Sequence, residues 1–275
     1  MYKYKLIATD LDGTLLNNEG KISNENRKAL AALEKKGVHL SVATGRTYAE
    51  IPPEVLSCDA FHYLIYSNGS VVLDRKSGER MTACIGKETA NRMMDIFADY
   101  ALHITARFGG ECYFDANYPL KESEAYYRID PNHVLCVGEY GHGREDFDRL
   151  VRAQEEIEVF SVYFHSDAER EACRERLAAL GDLYITSICD TNFEIFNIHA
   201  GKDRALARLC EHLGFTAKEA ITLGDSSNDL SMTKASGLGL ATANAQPALM
   251  AAADGVICSN EAHVMPFVLE KYFAD

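Results

Sequence analysis

The run Tyr4-Lys5-Leu6-Ile7-Ala8-Thr9 predicts a short buried strand, and it stops on Asp10-Leu11-Asp12-Gly13-Thr14. Two acids at i and i+2 beyond a strand end share a side, and Gly13 lets the backbone turn sharply after them. Like charges held so close are costly without a partner. A divalent cation and a phosphate open to attack both fit that need. Alone, the stretch also reads as an acidic turn with Asp12-Gly13 as its turn chemistry, so the rest of the chain has to decide.

The strand-then-turn pattern recurs. Ser23 suits the N-cap of a helix with Ala29, Leu30 and Leu33 as its apolar stripe and Gly37 as its stop. A strand at 38–43 ends on Thr44-Gly45-Arg46, a short helix breaks near Pro52-Pro53, and Tyr63-Leu64-Ile65-Tyr66 ends on Ser67-Asn68-Gly69. This alternation predicts an α/β fold, a Rossmann-like doubly wound parallel sheet. The pattern resumes late in the chain. Phe193–Ile198 is expected to lead back as a strand, Lys202–Leu213 is a helix, and Ala220–Leu223 is a strand ending on Gly224-Asp225. An acidic turn, Ser226-Ser227-Asn228-Asp229, follows before a helix through Lys234, and further strands are expected at 238–241 and 256–258.

Between these halves the rhythm changes. Lys87–Tyr100 predicts a helix with Ala90, Met93, Met94 and Phe97 on one face, and strands at 102–106 and 111–115 flank Gly109-Gly110. Helices are expected from Pro119 to Arg128, over 145–153 and over 168–180, with strands at 158–164 and 183–187. The mixture predicts an inserted α+β cap domain at 83–189, leaving a discontinuous core of 1–82 and 190–275.

Composition narrows the functional class. A charge of -13, from 28 basic and 41 acidic residues, argues against a nucleic-acid partner and for a cytoplasmic protein. The same field repels anions, so a phosphate site must build its own positive charge from metal, Lys and backbone N–H groups. Eight cysteines without a C-x-x-C pair predict reduced, buried thiols and no zinc site. The N-terminus carries no signal-like apolar segment, and no run is long enough to span a membrane. Oligomeric state is left open.

In doubly wound sheets ligands gather beyond the carboxyl ends of the strands. Here those ends bring Asp10, Asp12, Thr44, Gly45, Arg46, Asn68, Asp225, Asn228 and Asp229, and Lys202 joins them at a helix start. A lysine there opposes the helix dipole unless an anion is near. Carboxylate and hydroxyl oxygens with one ammonium suit Mg²⁺ and phosphoryl transfer. Arg46 reads equally as surface charge or substrate contact. A P-loop is excluded, because Phe196 stands where its first Gly would be.

The same residues in the same order resemble the haloacid dehalogenase-like hydrolases, and within them the Cof-type phosphatases with a large α/β cap. Asp10-Leu11-Asp12-Gly13-Thr14, Ala43-Thr44-Gly45-Arg46, Lys202 and Gly224-Asp225-Ser226-Ser227-Asn228-Asp229 match the four family motifs across almost the whole chain. The resemblance implies Asp10 as the nucleophile of an aspartyl-phosphate and Asp12 as the acid and then the base. It implies Mg²⁺ on the Asp10 carboxylate, the Asp12 carbonyl and Asp225, with phosphate held by Thr44, Gly45, Lys202 and Asn228. Asp229 would orient Lys202 or the metal waters. The chain departs from the family in Asp203 for Gly, in Thr242 for Met and in a segment 259–263 without Asp-Gly.

The expected partner is a small phosphorylated metabolite, sugar phosphates first, with pyridoxal phosphate or flavin mononucleotide behind. Cap candidates for its recognition are Arg107, Tyr113, Asp190 and Asn192. A phosphomutase using the same nucleophile and a non-catalytic metabolite-binding regulator are the alternatives.

Overall fold

A computed structural model describes residues 2–118, 120–187 and 189–274. The chain divides into two compact units. One holds Met1–Arg46, Ile51–Thr82 and Gly201–Asp275; the other holds Thr47–Glu50 and Ala83–Ala200.

The first unit is built on an eight-stranded sheet. Its central strand is Leu6–Thr9, flanked in parallel by Ala220–Gly224 on one side and His39–Ala43 on the other. Tyr63–Tyr66 continues the parallel order beyond His39–Ala43, and Leu238–Ala241 then Gly255–Val256 continue it beyond Ala220–Gly224. The direction of strand addition therefore reverses at Leu6–Thr9, which opens a crevice between its carboxyl end and that of Ala220–Gly224. Two antiparallel strands not foreseen from sequence, Val71–Asp74 and Arg80–Thr82, close the far edge. The helix Lys202–His212 covers one face, packing Ala205, Leu206, Leu209 and Cys210 on Leu6, Ala8, Ile65 and Val72. The helix Asn24–Lys35 packs with the C-terminal helix Val264–Tyr272, and Ser23 caps its start by accepting from the Asn26 N–H at 3.2 Å.

The turn after Tyr63–Tyr66 is tight. Gly69 has φ +88°, and a Cβ there would run into the Gly201 carbonyl. The turn thus sits directly on the residue preceding Lys202.

The second unit has a six-stranded sheet in the order 183–186, 192–197, 159–164, 102–108, 111–115, 141–144. The strand Asn192–Asn197 belongs here, paired antiparallel to Val159–Phe164 and Leu183–Thr186. It does not lead back into the first sheet as its place before Lys202 suggested. One face is apolar: Ile104, Ala106, Phe160, Val162, Phe193 and Ile195 pack under Met93, Phe97, Phe147 and Leu177 from three helices. That is the face the Ala90/Met93/Met94/Phe97 stripe predicts. The opposite face carries His103, Thr105, Arg107, Ser161, Tyr163, Asn192 and Glu194, and most of these are buried too.

The helices Leu120–Tyr126 and Pro131–Tyr140 belong to this unit, and Tyr127, Ile129 and Val134 pack near Tyr163. The second helix and the strand Gly141–Arg144 were not foreseen. The expected helix start at Pro119 lies outside the described residues. The segment Thr47–Glu50 is fixed here by the Ala49 N–H donating to the Gly110 carbonyl at 2.9 Å and by Glu50 against Arg107 at 3.4 Å.

Cys112, Cys173 and Cys210 are buried, the other five cysteines are half-buried, and none is in a disulfide. Among the described residues no helix is long and apolar enough to cross a membrane.

Two expectations follow. Gly69→Ala combines a left-handed φ with a backbone clash and should cost roughly 3 kcal/mol, read as a lowered urea midpoint. His103 is buried and its pKa falls from 6.5 to about 4 because burial disfavours the cation. The unfolded chain takes up that proton first, so stability is complete above pH 6.5 and declines as pH falls towards 4, by about 1.4 kcal/mol per unit. Unfolding midpoints between pH 7 and 4 should show a flatter acid limb in His103→Gln than in the wild type.

Candidate active site

All the motif residues belong to the first unit, and the parallel strands explain why. Leu6–Thr9, His39–Ala43, Tyr63–Tyr66 and Ala220–Gly224 run side by side in one direction, so Asp10, Thr44, Ser67 and Asp225 leave the same edge of the sheet. Asp10 continues its strand in extended conformation, and its N–H donates to the Leu223 carbonyl at 2.9 Å. The chain then doubles back through Gly13, at φ +72°. A Cβ on Gly13 would strike the Asp225 carboxylate, so the first and fourth motifs meet only because this residue is glycine.

Lys202 opens its helix with its side chain only 1% exposed. Its Nζ donates to Asp10 Oδ1 at 2.8 Å and to Asp229 Oδ1 at 2.6 Å. The other oxygen of Asp229 accepts the Asp225 N–H at 3.1 Å and the Ser226 N–H at 3.2 Å. Asp229 thus holds Lys202 with one oxygen and the acidic turn with the other. Burial opposes a charged ammonium, yet Asp10 and Asp229 together hold the Lys202 pKa above its ordinary value.

Two of the carboxyl groups, Asp10 and Asp225, have pKa values above the ordinary range. Burial pushes the Asp10 pKa up, and Asp229 and Asp12 add to the rise against Lys202. Asp225 is pushed up to about 6 by burial and by Asp229. The carboxylate oxygens of Asp10, Asp225 and Asp229 lie within 4.8 Å of one another. Three acids face one ammonium, an excess of negative charge that a divalent cation would neutralise. Oxygen donors alone suit a hard ion such as Mg²⁺, so the residues present fit it.

Asp12 lies apart from that cluster. Its exposed carboxylate takes both arms of Arg46, Nε to Oδ2 at 2.8 Å and a terminal nitrogen to Oδ1 at 2.8 Å. Thr44 is buried, with Oγ1 accepting the Arg46 N–H at 3.1 Å. Asn228 is exposed at the tip of the acidic turn, its Nδ2 donating to Asn68 Oδ1 at 3.3 Å. Two residues support the turn after Asp10: Asn244, which the sequence reading did not single out, and Thr242, noted there only as a departure from the family. Asn244 Nδ2 donates to the Gly13 carbonyl at 2.7 Å, with Thr242 Oγ1 at 3.4 Å from the same oxygen. Their only sequence signal is position, just past a strand that ends beside Ala220–Gly224.

The four cap candidates fall in the second unit in different settings. Arg107 is buried, donating to Ser161 Oγ at 2.8 Å. Tyr113 is stacked on Phe108 with ring centres 4.3 Å apart. Asn192 is buried, its Oδ1 accepting the Cys189 N–H at 3.1 Å, and Asp190 is exposed on a turn.

A family profile described as haloacid dehalogenase-like hydrolase matches residues 7–268. The 5-amino-6-(5-phospho-D-ribitylamino)uracil phosphatase YcsE of Bacillus subtilis is 31% identical over 256 residues, spanning 93% of this chain and 90% of its own. Phosphatase YwpJ of the same organism is 30% identical over 94% of this chain and 96% of its own. A solved haloacid dehalogenase-like hydrolase from B. subtilis superposes with a TM-score of 0.75 at 27% identity, covering 97% of this chain and 99% of that one. Matched by the family profile through both halves of its core, and by these relatives nearly end to end, this chain belongs to the haloacid dehalogenase-like hydrolases.

Proposed function

We propose that this hydrolase is a Mg²⁺-dependent phosphatase of small phosphorylated metabolites that works through an aspartyl-phosphate on Asp10. The observation that carries this reading is the buried Lys202 ammonium held between Asp10 and Asp229, with the Asp225 carboxylate beside them. A pure binder of phosphate has little use for a carboxylate at the centre of an anion site, whereas a phosphoryl-transfer enzyme needs one as nucleophile.

With Oδ1 of Asp10 held by Lys202, Oδ2 remains to form the bond to phosphorus as the bond from phosphorus to the leaving oxygen breaks. Asp12, once it has left Arg46 and taken a proton from solvent, gives that proton to the departing alkoxide. It then takes a proton from the water that attacks the aspartyl-phosphate, so one group serves both half-reactions. The Asp12 carboxylate must leave Arg46 to act, and that exchange frees the guanidinium for substrate. Thr44, the Gly45 N–H and Lys202 supply donors for the phosphoryl oxygens, where charge has to be met. Mg²⁺, held by Asp10, the Asp12 carbonyl and Asp225, would supply electrostatic stabilisation of the phosphoryl group.

Small polar phosphate esters are the substrate class, consistent with a relative named for 5-amino-6-(5-phospho-D-ribitylamino)uracil. The absence of a membrane-spanning helix among the described residues accords with action on soluble metabolites in the cytoplasm.

The deciding experiment is phosphate release across a panel holding that ester, hexose and pentose phosphates, pyridoxal phosphate and flavin mononucleotide. Release should cease on chelation and return with Mg²⁺. Asp10→Asn should lose at least about 10³-fold in kcat while its far-UV spectrum and melting midpoint stay near wild type. Turnover near the wild-type rate in that variant defeats the mechanism, and isomerised product in place of free phosphate would make the enzyme a mutase.

A further inference from the structure

The turn Ser67-Asn68-Gly69 has no role in the mechanism above, yet it touches three of the four motifs. Its residues take φ of +50°, +51° and +88° in succession, two of them without the freedom of glycine. The Ser67 N–H donates to the Arg46 carbonyl at 2.8 Å and the Asn68 N–H to the Thr44 carbonyl at 3.1 Å. Gly69 lies against Gly201, next to Lys202. Left-handed backbone at non-glycine positions is tolerated where the surroundings impose it, and it gathers at functional sites.

The orientation of the Asn68 side chain follows from a chain of hydrogen bonds. The Asp229 N–H donates to the Ser226 carbonyl at 3.1 Å, and the Ser226 hydroxyl donates to Asn228 Oδ1 at 2.6 Å. That turns the Asn228 amide nitrogen towards Asn68, where it donates to Oδ1 at 3.3 Å. The Asn68 oxygen is thereby used, and its Nδ2 has no acceptor among the described residues. The carboxamide lies flat over Gly45, with Oδ1 and Nδ2 at 3.0 and 3.3 Å from where a Gly45 Cβ would be. Glycine at 45 makes room for this group beside the N–H assigned to phosphate.

We propose that Asn68 is a further phosphate-binding residue, its Nδ2 donating to a phosphoryl oxygen of the substrate beside the Gly45 N–H, with Ser226 and Asn228 fixing which end of its amide faces the anion. This rests on the reading that Thr44, Gly45 and Lys202 hold the phosphoryl group. Asn228, for which the family resemblance implies a phosphate contact, in addition positions the Asn68 amide.

A structural role and a binding role make opposite forecasts for one substitution. Glycine accepts φ near +51° more readily than asparagine does, so Asn68→Gly preserves the turn and removes only the amide. The expected result is a melting midpoint equal to or above wild type, with kcat/KM for the best ester of the panel lower by about 10²-fold and inhibition by orthovanadate weakened about as much. Asn68→Asp, which swaps the donor for a like charge, should fall further still. Wild-type kcat/KM and vanadate affinity in Asn68→Gly overturn the proposal. Thr44→Ala and Asp10→Asn run alongside keep the two ideas apart. If both retain activity the phosphate site itself is misplaced, whereas if both fail while Asn68→Gly is intact only the role of Asn68 is lost.

Discussion

A single buried ammonium holds the site together. Lys202 has almost no exposure, and burying such a charge alone would cost several kcal/mol. It is tolerated because Asp10 arrives from a strand end and Asp229 from an acidic turn, both within 2.8 Å. The arrangement leaves one positive charge facing three acids, and the Asp10 and Asp225 pKa values rise chiefly through burial, with the neighbouring acids adding to the rise. The molecule thus carries a local electrostatic debt that a hard divalent cation is suited to settle.

Glycines let the backbone deliver those groups. Gly13 admits the Asp225 carboxylate where a Cβ would stand, Gly69 admits the Gly201 carbonyl, and Gly45 admits the Asn68 amide. In each case one segment of the site approaches another through the space that a missing side chain leaves. Asn244 and Thr242 then hold the Gly13 carbonyl and with it the turn that follows Asp10.

The second unit handles burial of charge differently. Arg107 lies on the polar face of its sheet, beside Glu50 and Ser161. Burial raises the Glu194 pKa, and Arg107 only partly offsets that, with Glu50 adding to the rise. Burial opposes ionisation of Glu50 too, but Arg107 and the Thr47 amide hold its pKa below the ordinary value. Both faces of this sheet are covered, so the alternation of Val159, Ser161 and Tyr163 with Phe160, Val162 and Phe164 separates two kinds of interior rather than inside from outside.

Sequence by itself determined the order of the elements that carry chemistry, because strand ends and their turns are local. Apolar runs stop where polar residues begin, and Ser23, Gly37 and Gly109-Gly110 mark their own caps and turns. It also named the acids, the lysine and the family resemblance. Tertiary structure alone decided which sheet Asn192–Asn197 joins, since a strand's own sequence carries no label for its partner. It likewise decided that Thr47–Glu50 packs with the second unit and that the Asp12 carboxylate rests on Arg46 instead of beside Asp10. Such pairings are set by which distant groups meet in space, and no spacing along the chain encodes that.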